Sequence, residues 1–108
     1  MATQPRSTKL TYEDYLLFPD DGKRHELIQG DHCMTPAPST KHQRISRNLV
    51  TALWTFVHQR RLGEVFGAPC DVIFSDEDVV QPDVLFVSPA KAGIVTEDNL
   101  KGAPDLVV

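Results

Sequence analysis

At 108 residues, with 41% hydrophobic and 24% charged side chains, the chain is long enough for one domain with its own core and too short for two. No apolar run approaches the roughly 20 residues that a membrane-spanning helix needs, so no membrane partner is expected, and residues 1–6 carry no apolar stretch of the secretion-signal kind. Cys33 and Cys70 are too few for a disulfide framework or a metal cluster and read as free thiols in a reducing cytoplasm, with a single disulfide between them as the alternative.

The net charge of -4 is unevenly spread. Residues 32–63 contain no Asp or Glu but hold Lys41, Arg44, Arg47, Arg60 and Arg61, so the acidic excess lies elsewhere. Such segregation is a signal for an anionic partner, and a solvated basic helix face explains it equally well.

In chain order, residues 1–10 are polar and expected to fray, and 11–108 read as a single domain. Thr11-Tyr12-Glu13-Asp14 has the spacing of a capping box and predicts a short helix, with Tyr12, Tyr15 and Leu16 on its apolar face and Phe18-Pro19 ending it. Asp20-Asp21-Gly22 is a turn. Residues 23–34 read as a strand in which Gln29-Gly30-Asp31 is a bulge or a tight hairpin turn. Pro36 and Pro38 make 35–39 a linker. Thr40 then reads as a helix N-cap, with Gln43 completing a capping box, and the helix runs to about Leu62 before Gly63. Ile45, Leu49, Leu53 and Phe56 form its apolar stripe, which predicts the buried face, with Trp54 at the edge under a neighbouring strand. Arg60 and Arg61 suit the negative end of the helix dipole without any ligand.

Residues 64–66 predict a short strand and 70–75 a longer one. The polar turn Ser75-Asp76-Glu77-Asp78 leads towards a further strand at 82–88, which predicts a hairpin between those two. That last strand is apolar on both faces and opens with Pro82-Asp83, where proline, lacking an N–H, belongs at the first position. Residues 88–102 are a connector with at most one helical turn near 96–100. Residues 104–108 repeat the pattern, Pro-Asp followed by Leu106-Val107-Val108, and an ending so apolar suggests the N-terminal part of a longer domain.

Glu26, Asp83 and Asp105 thus stand near strand starts, where carboxylates converge at one sheet edge as Mg²⁺ or Mn²⁺ binding requires. The plainer reading of Asp83 is a turn former. Five ordered motifs go further: His25-Glu26-Leu27-Ile28-Gln29-Gly30-Asp31; Pro36-Ala37-Pro38-Ser39 with His42-Gln43; Leu62-Gly63-Glu64-Val65-Phe66-Gly67; Gln81-Pro82-Asp83-Val84; and Ala103-Pro104-Asp105-Leu106-Val107-Val108. Together they resemble the Uma-type restriction endonuclease family of the PD-(D/E)XK nuclease superfamily.

The resemblance implies an α/β restriction endonuclease-like core, a mixed sheet flanked by helices, cut off at the third core strand. Helix 40–62 would be its first core helix, 70–75 and 82–88 its hairpin, and 104–108 its third strand. Asp83 would be a catalytic metal ligand, Glu26 would complete the acidic site, and Asp105 is the weakest candidate ligand. The (D/E)XK half would follow Val108. The implied activity is metal-dependent DNA endonuclease hydrolysis of phosphodiesters with Mg²⁺ or Mn²⁺, incomplete in this chain, with Lys41, Arg44 and Arg47 on the phosphate backbone. The alternative is a non-catalytic relative that forms a homo-oligomer through an exposed strand edge, or binds DNA or protein. His42 reads equally as a cap or a functional residue.

Overall fold

The computed structural model describes residues 9–108, so most of the expected frayed N-terminus lies outside the described residues. The first helix, α1 (Tyr12–Tyr15), is a single turn. The Asp14 carboxylate accepts from the Thr11 backbone N–H at 2.8 Å, as the spacing predicts. Tyr15 is buried and meets Phe18 edge-on, with ring centroids 5.5 Å apart.

Strands β1 (Arg24–Ile28) and β2 (Asp31–Thr35) form an antiparallel hairpin. Gln29 (φ 52°) and Gly30 (φ 79°) both take the left-handed conformation that a two-residue hairpin turn demands, which decides for the turn over the bulge. Helix α2 (Thr40–Arg60) follows, and its N-cap is Ser39 rather than Thr40. The extended backbone of the linker persists through Ser39, whose hydroxyl accepts from the His42 N–H at 3.1 Å. At the other end Arg61, not glycine, takes the left-handed cap, and the Leu62 N–H reaches back to the Val57 carbonyl at 3.0 Å. Gly63 has a different duty. A Cβ there would stand 2.1 Å from the Val87 carbonyl, so only glycine lets the chain turn against that strand.

Two sheets result. Strands β3 (Glu64–Gly67), β6 (Val84–Val87) and β8 (Leu106–Val107) form an antiparallel sheet in the order β3-β6-β8. The second sheet has the order β2-β1-β5-β4-β7, adding β4 (Val72–Ser75), β5 (Asp78–Val80) and β7 (Leu100–Lys101). Only the β4–β7 pair is parallel, so this sheet is mixed. The predicted hairpin is therefore corrected: β4 turns back into β5, while the Pro82-Asp83 strand pairs with β3. Pro82 has no N–H for the ladder, and there the chain leaves one sheet for the other. The helical turn expected near 96–100 is also displaced. Pro89, preset for a first helical position, starts a 3₁₀ helix at Pro89–Ile94, while the Thr96 hydroxyl accepts from the Asn99 N–H in a turn that feeds β7.

Leu27 and Val79 pack with Tyr15 in one core, and Val72, Leu85, Val87 and Leu100 form another. Strand β6 is buried on both faces, as its composition predicts. Helix α2 lies on the smaller sheet with Val57 buried and Ser46, Val50 and Leu53 half-buried. The predicted stripe is thus rotated by about one residue. Ile45, Leu49 and Phe56 remain 58%, 40% and 48% exposed, because an apolar band this wide exceeds what one three-stranded sheet covers. Trp54 does not pass under a strand but stacks on His58, 4.4 Å between centroids.

Leu85→Ala, at a fully buried position, should cost roughly 2–5 kcal/mol in urea unfolding. Ile45→Ala should stay within about 0.5 kcal/mol of wild type. Equal losses at the two positions would contradict the observed helix orientation.

Candidate active site

The crossing from β5 to β6 leaves Asp83 in a bend between the two sheets. Its backbone is tied on both sides, donating to the Val108 carbonyl at 2.8 Å and accepting from the Ala68 N–H at 3.1 Å. Its carboxylate is half-buried, and one oxygen, Oδ1, receives a guanidinium and an imidazole. Arg24 Nη2 from β1 stands at 2.5 Å and His42 Nε2 from the first turn of α2 at 3.1 Å. Burial pushes the Asp83 carboxyl up, but hydrogen bonds from Arg24 and then His42, together with their charges, outweigh it and hold the group below its ordinary value.

This trio lines a cleft of about 640 Å³ between β1, α2 and the β3–β4 connection. Lys23 and Arg47 add positive charge to its wall, and Asp20 is the other acid there. A cavity of similar volume, about 670 Å³, opens at the far end of α2 beside His58, Arg61 and Glu64 and contains none of the predicted site residues.

Glu26 and Asp105 do not line the cleft. Glu26 Oε2 accepts from the Gln81 backbone N–H at 2.7 Å. The Gln81 side chain in turn donates to Tyr15 Oη at 3.0 Å and Asp71 Oδ1 at 2.8 Å, and the Tyr15 hydroxyl donates to the same Asp71 oxygen. Burial first, then the bond to Asp71 and the negative charge of Asp71, push the Tyr15 phenol far above its ordinary value, so it serves as a fixed donor. Because Arg24 and Glu26 share one face of β1, they engage Asp83 and Gln81 of the facing segment respectively. Asp105 instead accepts from the Ser88 N–H at 2.6 Å at the entrance to the 3₁₀ helix.

Among the described residues no group of three His, Cys, Asp or Glu side chains converges to hold a metal ion. Asp83 Oδ1 is already shared by Arg24 and His42, so these residues do not by themselves make a metal cage. Of the three predicted cations on α2, Arg47 lines the cleft, whereas Lys41 and Arg44 are exposed on the helix outside it. Sequence reasoning missed Lys23 and Arg24 and left His42 undecided. Period-two alternation from Glu26 already put Arg24 on its face, but the partner lies 59 residues away.

The family described as "Putative restriction endonuclease", Uma2, matches residues 12–108. The chain belongs to the Uma2 family. A crystal structure from Anabaena variabilis, described as a "putative nuclease belonging to DUF820", is similar in fold to this Uma2 chain, with a TM-score of 0.72 at 20% identity. The match covers 91% of the Uma2 chain and 56% of the Anabaena one, so the present sequence spans little more than half the length of that relative. No curated protein matches. Family and fold agree on a nuclease-like α/β architecture. No helix among the described residues is long and apolar enough to cross a membrane.

A carboxyl whose pKa falls on folding stabilises the native state above its ordinary value of 3.8 and loses that contribution as pH drops through the folded value. The stability advantage of wild type over Asp83→Asn should therefore shrink as pH is lowered from about 5 to about 2.5. Denaturant melts across that range check this, and a constant gap would contradict the ion pairing.

Proposed function

We propose that this chain carries the substrate-binding cleft of a cytoplasmic metal-dependent DNA endonuclease, with Asp83 as its reactive-site carboxylate. Membership of the Uma2 family and the nuclease-like fold support the reaction class. The observation that carries the assignment is Asp83 itself, half-buried in a cleft and held on one oxygen by Arg24 and His42.

Lys23, Arg24 and Arg47 offer donors to the non-bridging oxygens of a phosphodiester. Arg24 matters most, because a phosphate entering the cleft competes with Asp83 for its planar fork. Once Arg24 turns to the phosphate, Asp83 regains a free anionic oxygen beside His42, whose Nε2 is placed to hold or pass a proton there. Mg²⁺ or Mn²⁺, when bound, would supply charge neutralisation and an activated water. Asp83 and Asp20 are the described acids that line the cleft and would meet it, while Glu26 is bound to Gln81. The free thiols of Cys33 and Cys70 fit a reducing compartment.

The absence of a convergent metal cage among the described residues favours a second reading, a DNA-binding module without turnover. One assay separates them. Plasmid DNA is incubated with a full-length version that carries the (D/E)XK half, and Mg²⁺ or Mn²⁺, alongside binding titrations at several salt concentrations. The nuclease reading expects metal-dependent nicking that Asp83→Asn abolishes while binding persists. Cleavage unchanged by that substitution would sink the site assignment, and binding without any cleavage would select the second reading. If the cleft is the interface, Arg47→Ala should lower the slope of log affinity against log salt by about 0.9, while Lys41→Ala leaves it unchanged.

A further inference from the structure

The opposite face of β1 carries a second polar constellation that the cleft does not use. His25 is 7% exposed, and both of its ring nitrogens are engaged. Nε2 lies 2.8 Å from Asp21 Oδ1, and Nδ1 lies 2.9 Å from Nε2 of His32 on β2. An ionised carboxylate can only accept, so Nε2 of His25 carries a proton and, in the neutral ring, Nδ1 presents a bare lone pair. Facing that lone pair is a nitrogen of a second imidazole. We propose that His25 and His32 form a binding site for a late first-row divalent metal ion of the Cu²⁺, Ni²⁺, Zn²⁺ class, with Asp21 as the group that orients His25.

The spacing carries the proposal. Metal–imidazole bonds are about 2.0–2.1 Å, so two nitrogens bound at right angles stand about 2.9 Å apart, and two on a tetrahedral ion about 3.4 Å apart. The observed 2.9 Å is a hydrogen-bond separation, so the two nitrogens already stand within the range that one ion bound by both requires, and imidazole pairs bind Cu²⁺ most tightly in this metal series. Asp21 supplies the hydrogen bond to the far nitrogen that metal-binding histidines commonly have, fixing the tautomer and raising ligand basicity. The hairpin sets the two rings in advance. His25 pairs with Met34 and His32 with Leu27, so the histidines sit diagonally on one face, and Met34 brings a soft thioether to that face. Phe18 stacks on His32 with centroids 4.1 Å apart and restrains its rotation. His32 itself is exposed, which leaves solvent to enter and complete the coordination sphere.

In the empty site the His32 Nε2–H donates to His25 Nδ1. On binding, that proton is given up at Nε2 and the ring is reprotonated at Nδ1, so both facing nitrogens bind through lone pairs. Any additional proton held by the pair at lower pH is released to solvent, so affinity falls on acidification.

The full chain is titrated calorimetrically with CuCl₂, NiCl₂ and ZnCl₂ and melted with and without one equivalent of each. Binding at one ion per chain with a raised melting temperature is expected, with Cu²⁺ or Ni²⁺ tighter than Zn²⁺. His25 is buried and its replacement risks the fold, so the exposed His32→Gln is the deciding variant. It should weaken binding at least tenfold and remove the thermal shift, whereas His58→Gln, on the far part of α2, should not. Asp21→Asn should weaken binding about tenfold, as loss of an orienting carboxylate does. Electron paramagnetic resonance of the Cu²⁺ form should show coupling to two imidazole nitrogens. Binding unaltered in His32→Gln, or no stoichiometric binding of any of the three ions, overturns the proposal without touching the nuclease reading.

Discussion

The constraint on which the molecule turns is the missing N–H of Pro82. The residues before it, Asp78–Val80, belong to one sheet and those after it, Val84–Val87, to another, so the ladder has to break between them. The break is closed by polar bonds on either side. Gln81 gives its backbone N–H to Glu26 and its amide to Tyr15 and Asp71, while Asp83 bonds through its backbone to Ala68 and Val108. Held at both ends, the segment presents the Asp83 side chain at the seam. A half-buried carboxylate there is unfavourable unless compensated, and Arg24 and His42 compensate it from two different elements. The same contacts that reconcile the acid with the fold fasten β1 and α2 across the cleft.

That arrangement explains which parts were legible in the sequence. The capping box at Thr11, the long helix and the two-faced burial of β6 depend on neighbours within a few residues and were readable, while Gln29-Gly30 was readable only as a turn or a bulge. The acids were readable only as a class. Glu26, Asp83 and Asp105 stand at similar places in the pattern, yet two of them accept from backbone amides, at Gln81 and Ser88, and one meets Arg24 and His42. Alternation tells which face a carboxylate is on and not what stands opposite it. The hairpin error had the same origin. Two apolar runs separated by a polar turn look paired, and β5 was hidden because its three residues precede the conspicuous Pro-Asp.

The helix shows a further limit of pattern reading. An apolar band on α2 wide enough to include both Ile45 and Val57 specifies a helix without specifying its rotation. Packing chose the Val50–Val57 side, where Gly67 comes close enough that a Cβ there would touch Val50 Cγ2 at 3.4 Å. The exposed side is partly shielded by its own polar neighbours. The Arg60 guanidinium lies 3.9 Å above the Phe56 ring, and His58 stacks on Trp54, so cation and imidazole cover aromatic faces that no strand reaches.

Strand β1 carries the two polar constellations on alternate residues: Arg24 and Glu26 on one face, His25 on the other. A register slip of one residue would exchange the faces and destroy both, so the chemistry depends on whatever fixes the register. That is the turn. Gly30 donates to Glu77 at 2.8 Å and accepts from Leu10 at 2.9 Å, and the Gln29 N–H donates to Asp78 Oδ1 at 2.8 Å. A Cβ on Gly30 would fall 2.8 Å from the Lys9 side chain, and its positive φ already disfavours one. Two residues with no chemistry of their own therefore set the placement of every ionisable group on β1. The Gln29-Gly30 motif is thus as much a determinant of the site as Asp83.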